Sequence, residues 1–97
     1  EHPHEPFPVQ FSDLDLYDHV NNARYVQWVL DSFPRDTHRS RRLTEFEVNF
    51  AAEAKFGDTI AIHTLETENA TGHFRHCIKR TADNRDVCLV RTVWEEK

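Results

Sequence analysis

A ten-residue segment near the start of the chain concentrates side chains that can do chemistry. Between Asp13 and Asn22 it holds three aspartates, one histidine and two asparagines. A carboxylate or a histidine can activate water or attack a carbonyl carbon, and the amides at a helix start can stabilise the oxyanion that forms. This composition therefore indicates acyl transfer. The alternative is a turn with helix caps, which Asp and Asn also favour, although a cap needs only one such side chain.

Other catalytic classes lack their characteristic residues. The two glycines, Gly57 and Gly72, cannot form a dinucleotide fingerprint or a phosphate loop, and the chain has no Gly-x-Ser-x-Gly elbow. Ser12 has no obvious partner base, and Cys77 and Cys88 both fall inside predicted strands. We therefore expect chemistry based on carboxylates. Two cysteines cannot make a disulfide framework, so we also expect reduced, buried thiols and a cytoplasmic location.

The segment lies between a predicted strand and a predicted helix. Alternating apolar residues predict one face of the first strand: Phe7, Val9 and Phe11. Asn21 or Asn22, or else Asp18, can cap a following helix, which Pro34 ends after about twelve residues. Apolar positions cover most of the helix circumference, so we expect it to be buried on several sides.

Beyond the helix, the pattern predicts a polar connection from Arg35 to Arg42 and then strands only. The predicted strands are 45–50, 59–65, 73–81 and 86–94. The order β-α-β-β-β-β predicts an α+β fold in which one helix covers one face of an antiparallel sheet. A chain of 97 residues has room for a single domain, residues 1–97, with residues 1–6 as a linker-like leader.

Charge and hydropathy exclude several kinds of partner. Asp and Glu outnumber Lys and Arg by 17 to 12, which argues against nucleic acid. The apolar stretches are only a few residues long, so we expect no membrane span and no signal peptide. His2 and His4 lie in the proline-containing leader, and we expect them to be solvated rather than to bind a metal.

Two motifs resemble those of a known family. The run Phe11–Trp28, with His19-Val20-Asn21-Asn22 at its centre, resembles the signature of hotdog thioesterases. It is most similar to the acyl-acyl-carrier-protein (acyl-ACP) thioesterases of plants and bacteria. The run Phe46–Asp58 resembles the second strand and turn of that family. The resemblance is closest to the C-terminal hotdog domain of these proteins and extends from Phe11 to about Thr64.

The resemblance implies a hotdog fold, with an antiparallel sheet wrapped around one long central helix. It implies hydrolysis of fatty acyl-ACP thioesters in fatty acid biosynthesis, without a metal or other cofactor. Asp15 and His19 correspond to the catalytic aspartate and histidine, and Glu53 corresponds to the acidic residue of the second motif. Plant members have asparagine where this chain has Tyr17, and cysteine where it has Ala54.

Further residues complete this predicted site. The backbone amides around Val20, Asn21 and Asn22 are assigned to polarise the substrate carbonyl. The polar role of the missing asparagine is assigned to the side chain of Asn21 or Asn22 or to the Tyr17 hydroxyl. Because carrier proteins are acidic, a docking patch should be basic. The basic cluster is Arg35, Arg39, Arg41 and Arg42, with His38 among them; the alternative for this cluster is a solvated loop.

The same resemblance implies a partner, since hotdog folds work as dimers or as two domains in one chain. We expect either a second hotdog domain or a homodimer. Two other functions stay open at this point. One is an acyl-coenzyme A thioesterase of the same fold, and the other is a non-catalytic hotdog domain that completes the pocket of its partner.

Overall fold

An antiparallel sheet and a helix packed on one of its faces form the described part of the chain, residues 5–97 of a computed structural model. The strands are β1 (Phe7–Pro8), β2 (Arg41–Phe50), β3 (Thr59–Glu66), β4 (His73–Arg80) and β5 (Arg85–Glu96). The helices are α1 (Asn22–Asp31) and α2 (Arg35–Ser40). Within residues 5–97 the strand order is β1-β3-β4-β5-β2. The predicted α+β class is confirmed, whereas most of the predicted leader, with His2 and His4, lies outside the described residues.

The first strand is shorter than predicted. It ends at Pro8, and Phe11 begins a single turn of 3-10 helix at Phe11–Asp13. The prediction that Phe11 shares the buried strand face is wrong, because its side chain is 79% exposed. Pro8 has no amide hydrogen with which to continue a ladder, and the Gln10 amide donates instead to the Asp13 carboxylate at 2.8 Å.

Helix α1 begins at one of the positions that the candidate capping residues predicted. The Asn21 side chain accepts a hydrogen bond from the Ala23 amide at 3.0 Å, which identifies Asn21 as the N-cap. The helix has 10 residues and buries one face, made of Tyr25, Trp28 and Val29. The expectation of burial on several sides is not met in this chain, since the other apolar positions, Val26 and Leu30, are only half-buried.

The segment from Arg35 to Arg42 is structured, which corrects the prediction of a polar connection. Pro34 stands at the N-cap of α2, where its missing amide hydrogen costs nothing. Arg41 and Arg42 then open β2 and lie opposite Glu96 and Glu95 on β5. Opposite charges on neighbouring strands favour this register. Neither helix of the described residues 5–97 is long and apolar enough to cross a membrane.

The core lies between α1 and the inner face of the sheet. Its buried residues include Val29 on the helix and Ile60, Ile62, Phe74, Ile78, Val90 and Trp94 on the strands. Strand β2 lies at the end of the strand order and pairs with β5 alone among the described strands. Its other edge therefore presents backbone donors and acceptors that a further strand can use.

The turn before β4 brings the backbone of Gly72 against β5, and this contact makes a testable prediction. Gly72 has φ +84°, and a Cβ atom there would overlap the carbonyl oxygen of Trp94. We expect Gly72→Ala to lower the free energy of unfolding by about 1–3 kcal/mol more than Gly57→Ala does. Gly57 is a matched control because its φ is +88° but nothing lies within 4 Å of an added Cβ. Equal losses for the two variants in urea unfolding would contradict the predicted overlap.

Candidate functional site

A cleft of about 500 Å³ lies where the loop before α1 faces the segment that follows β2. Its lining residues are Asp15, His19, Val20, Asn21, Asn22, Tyr25, Phe50, Ala52 and Glu53. The three residues that the family resemblance assigned to catalysis are all among them. The chain has thus brought carboxylates and a histidine from two separate motifs to the N-terminal end of one helix.

His19 and Glu53 form the central contact of the cleft. The Nδ1 atom of His19 lies 2.9 Å from Oε1 of Glu53. Both side chains keep about half of their surface exposed, 51% and 59% respectively, so the pair is open to a substrate or to water. A carboxylate paired with an imidazole in this way can orient the ring and stabilise its protonated form.

Asp15 lines the same cleft and also orders its own loop. Its Oδ1 atom accepts hydrogen bonds from the amides of Tyr17 at 2.9 Å and His19 at 3.2 Å. The Asp15 amide in turn donates to the His19 carbonyl at 2.8 Å. The carboxylate is exposed, so it can meet a substrate. The turn-forming and the functional interpretation of Asp15 therefore apply to the same side chain.

The other two aspartates of the segment are structural. Asp13 is buried, accepts from Arg24 Nε at 2.8 Å and also accepts from the Gln10 amide. Asp18 has φ +62°, a left-handed conformation that Asp and Asn tolerate in turns. For these two residues the interpretation as turn residues is sufficient.

The backbone N–H groups at the start of α1 differ in whether they already have a hydrogen-bond acceptor. The Asn21 amide donates to the Asp13 carbonyl at 2.9 Å, and the Ala23 amide donates to the Asn21 side chain. These two N–H groups are therefore not free for a substrate. Within residues 5–97 the Asn22 amide has no such partner, and Asn22 is one of the residues that line the cleft. The Val20 side chain is buried in the core, although the residue borders the cleft.

Tyr17 and the basic cluster lie elsewhere. The Tyr17 side chain is 82% exposed and is not among the residues that line the cleft. Arg35 and Arg39 are exposed on α2, Arg42 is exposed on β2, and Arg41 is half-buried. These four arginines form no ion pair with any residue of the described range 5–97.

Sequence reasoning missed the role of Tyr25, which it counted only as an apolar helix position. The Tyr25 hydroxyl accepts from the Ala54 amide at 3.1 Å, and its ring contacts Phe50 and Trp28 edge-on. Burial raises the pKa of the Tyr25 phenol, so it remains neutral. A signal was available, because a tyrosine on a buried helix face needs a partner for its hydroxyl.

The cysteines are not candidates for the nucleophile. Burial, as the largest cause, raises the pKa of Cys77 and of Cys88 to about 11. Both thiols are therefore protonated near neutral pH, whereas the thiolate is the reactive form. Both are free cysteines, and neither lines the cleft. Residues 5–97 also contain no cluster of three or more His, Cys, Asp or Glu side chains that could hold a metal ion.

A larger concavity of about 590 Å³ runs across strands β2 to β5 and shares no residue with the cleft. Its buried histidine, His76, is held between the hydroxyls of Thr64 and Thr92, each at 2.8 Å. Those contacts engage both ring nitrogens within the core. The smaller cleft, and not the larger concavity, holds the three residues that the family resemblance assigned to catalysis.

Comparison with known proteins adds independent evidence. A family model described as the acyl-ACP thioesterase C-terminal domain matches residues 1–96. Oleoyl-acyl carrier protein thioesterase 2, chloroplastic, from Arabidopsis thaliana is 27% identical over 89% of this chain and 29% of its own length. Palmitoyl-acyl carrier protein thioesterase, chloroplastic, from Gossypium hirsutum is 30% identical over 100% of this chain and 25% of its own length.

Solved structures agree on the architecture. An acyl-ACP thioesterase from Bacteroides thetaiotaomicron superposes with a TM-score of 0.86 at 29% identity, covering 96% of this chain and 37% of that one. The 12:0-ACP thioesterase from Umbellularia californica also gives 0.86, at 22% identity, covering 100% of this chain and 36% of that one; at that identity the likeness concerns the fold. These matches confirm the predicted hotdog fold. The chain spans between a quarter and two fifths of the length of the relatives described here.

Proposed function

The chain belongs to the acyl-ACP thioesterase family, whose C-terminal domain it matches along residues 1–96, and from this premise we propose that it carries the catalytic groups for hydrolysis of fatty acyl-ACP thioesters. The products of this reaction are a free fatty acid and the carrier thiol, and we propose that it serves fatty acid biosynthesis and lipid metabolism. The observation that carries this proposal is the His19–Glu53 contact of 2.9 Å in a cleft that Asp15 also lines.

The proposed reaction uses the end of α1 to polarise the thioester. The carbonyl oxygen accepts from the Asn22 amide, where the helix dipole also favours the negative charge of the tetrahedral intermediate. Asp15 either adds to the carbonyl carbon itself or takes the proton of a water molecule that adds there. If Asp15 adds, loss of the thiolate leaves a mixed anhydride on Asp15, which a water molecule then hydrolyses to the fatty acid and the free carboxylate. In both routes His19 and Glu53 orient the water and pass a proton to the departing thiolate. The carbon–sulfur bond breaks as the carbonyl reforms.

The decisive experiment is steady-state hydrolysis of a panel of acyl thioesters by the full natural protein. Each acyl chain is presented both on ACP and on coenzyme A, and release of the free thiol is followed. The proposal expects a higher kcat/KM for the carrier-linked substrate. Faster turnover of acyl-coenzyme A would favour the coenzyme A thioesterase, and no turnover of either series would favour a non-catalytic hotdog domain.

The basic cluster supports docking of an acidic carrier. Arg39 is exposed at the end of α2 and has no ion-pair partner in the described residues 5–97, whereas Arg42 lies opposite Glu95. We expect Arg39→Glu to raise the KM for acyl-ACP about fivefold at low salt, because a like charge then meets the carrier. The KM for acyl-coenzyme A and the kcat should change little.

The matched control for this docking prediction is Arg75→Glu, which makes the same charge reversal at an exposed position on β4. The effect of Arg39→Glu should vanish at about 0.5 M salt, since screening removes long-range attraction. An equal rise in KM for both variants, or a rise that persists in high salt, would contradict docking at this cluster.

A second hotdog unit is part of the proposal, either as another domain or as a second copy. The edge of β2 that no strand of residues 5–97 pairs with supports it, as does the aromatic ring of Phe50, which is 50% exposed at the end of that strand beside the cleft. A further strand on this edge would extend the sheet and cover the ring.

For the cellular location we propose the cytoplasm, and the free thiols of Cys77 and Cys88 support it. The named plant relatives are chloroplastic, and cell fractionation decides between the two compartments.

A further inference from the structure

We propose that Tyr25 and Arg80 are positioning residues that set the Glu53 carboxylate by holding both polar groups of the peptide bond after it. This inference rests on the proposed function, because it assigns Glu53 a catalytic task. Neither residue was singled out by its type or spacing in the sequence. They come from α1 and from the end of β4, and they meet at a segment that belongs to no helix or strand.

The peptide bond between Glu53 and Ala54 is held from two sides. The Glu53 carbonyl accepts from Arg80 Nη1 at 2.9 Å, and the Ala54 amide donates to the Tyr25 hydroxyl at 3.1 Å. The Ala54 side chain is itself fully buried. With its carbonyl and its amide both bonded, this peptide plane has a fixed position and a fixed rotation, and so has the Cα atom that carries the Glu53 side chain.

Both holding groups are themselves well supported. Arg80 donates to Asp83 through Nε at 3.3 Å and through Nη2 at 2.8 Å, which leaves Nη1 directed to the Glu53 carbonyl. The Tyr25 ring is 3% exposed and packs edge-on against Trp28 and Phe50. A packed ring, and a guanidinium that makes two hydrogen bonds to Asp83, are rigid enough to fix the position of the Glu53–Ala54 peptide bond.

The segment that carries Glu53 needs this support. Strand β2 ends at Phe50 and β3 begins at Thr59. The Ala51 and Ala52 amides still donate to the Val87 carbonyl on β5, but Glu53 itself lies beyond these contacts and outside the sheet ladder. Its carboxylate is 59% exposed and contacts His19. Without the two backbone contacts, the carboxylate would sample more positions relative to the imidazole. A displacement of about 1 Å at a catalytic group is enough to lower a rate substantially.

The test removes each contact while preserving its packing. Tyr25→Phe deletes only the hydroxyl, and Arg80→Met deletes the donors but keeps an apolar stem. We expect each to lower kcat for acyl-ACP about tenfold with KM within about twofold, and Arg80→Lys to recover part of the loss. The control is Arg91→Met, which removes an arginine paired with Glu45 and Glu47 on the sheet and should leave kcat unchanged.

A double-mutant cycle separates positioning from a general structural role. If Arg80 acts through Glu53, Arg80→Met should have almost no further effect on kcat in a Glu53→Gln background. A full tenfold loss in that background, or a loss in kcat that simply follows the melting temperature across all variants, would overturn the proposal.

A crystal structure of the Arg80→Met variant tests the positioning role independently of thioester hydrolysis. We expect the His19–Glu53 contact to lengthen or to become disordered in the variant. If the protein hydrolyses no thioester but this contact is lost, the proposed function fails while the positioning role stands. If the contact is unchanged in the variant, the positioning role fails whatever the activity.

Discussion

Asp15→Asn should lower kcat/KM for acyl-ACP by about a thousandfold or more while the domain stays folded. Loss of a nucleophile or a general base typically costs two to four orders of magnitude. Folding should persist because the Asn side-chain oxygen can accept the same hydrogen bonds from the Tyr17 and His19 amides that Asp15 Oδ1 accepts now. The measurements are steady-state kinetics and thermal unfolding of the same preparations.

The loop offers a control for charge. Asp18→Asn removes one negative charge three residues away, at a position whose φ of +62° suits asparagine well. It should leave both activity and stability close to those of the parent protein. Near-normal turnover by Asp15→Asn would remove Asp15 from the mechanism. An equally large loss of activity in Asp18→Asn would show that the rate depends on the total negative charge of the loop rather than on the Asp15 carboxylate.

Single turnover in ¹⁸O-labelled water tests whether Asp15 adds to the thioester. If Asp15 adds and water then attacks the side-chain carbon of the resulting anhydride, ¹⁸O stays in the Asp15 carboxylate. If Asp15 acts as a base, or if water attacks the acyl carbon of the anhydride, the label enters only the released fatty acid, so label in Asp15 is the outcome that demonstrates addition. Mass spectrometry of the peptide that contains Asp15 reads this difference directly.

The distinction between Asp13, Asp15 and Asp18 shows where inference from residue type and spacing stops. All three are aspartates within six residues, and each is a reasonable turn residue by composition. Only the folded chain shows that Asp13 is buried against Arg24 and that Asp15 lines the cleft. Burial and partner choice depend on the path of the backbone, which residue types alone do not determine.

The elements themselves were largely predictable because their signals are local. Alternation and turn residues located β3, β4 and β5 to within two residues at every end. Two of the failures came from contacts that are distant in sequence. Arg41 and Arg42 extend β2 because β5 offers Glu96 and Glu95 opposite them, and the Tyr25 hydroxyl matters because Ala54 reaches it from 29 residues away.

The family resemblance supplied what local patterns could not. No periodicity in the sequence connects His19 with Glu53, which lie in two motifs 34 positions apart. The resemblance assigned both to catalysis, and the fold places them 2.9 Å apart. The positions where this chain departs from plant members do not disturb that contact, since Tyr17 points to solvent and Ala54 packs in the core.

Glu53→Gln should lower kcat for acyl-ACP by about a hundredfold with little change in stability. Glutamine can still accept a hydrogen bond from His19 Nδ1, but it carries no charge to stabilise the imidazolium or to polarise water. The pair is about half exposed on both sides, and such pairs contribute only about 0–1 kcal/mol to folding. Kinetics and urea unfolding on the same samples therefore separate the two effects.

The control for Glu53→Gln is Glu47→Gln, because Glu47 is also ion-paired and nearly equally exposed, at 60%. Its partner is Arg91 on the sheet, and Glu47 does not line the cleft. It should retain full activity. A hundredfold loss for Glu53→Gln alone assigns the effect to charge at the cleft, since both variants remove one carboxylate from an exposed pair. Retained activity in Glu53→Gln would mean that His19 works without a carboxylate partner, and the catalytic assignment would reduce to Asp15 and His19.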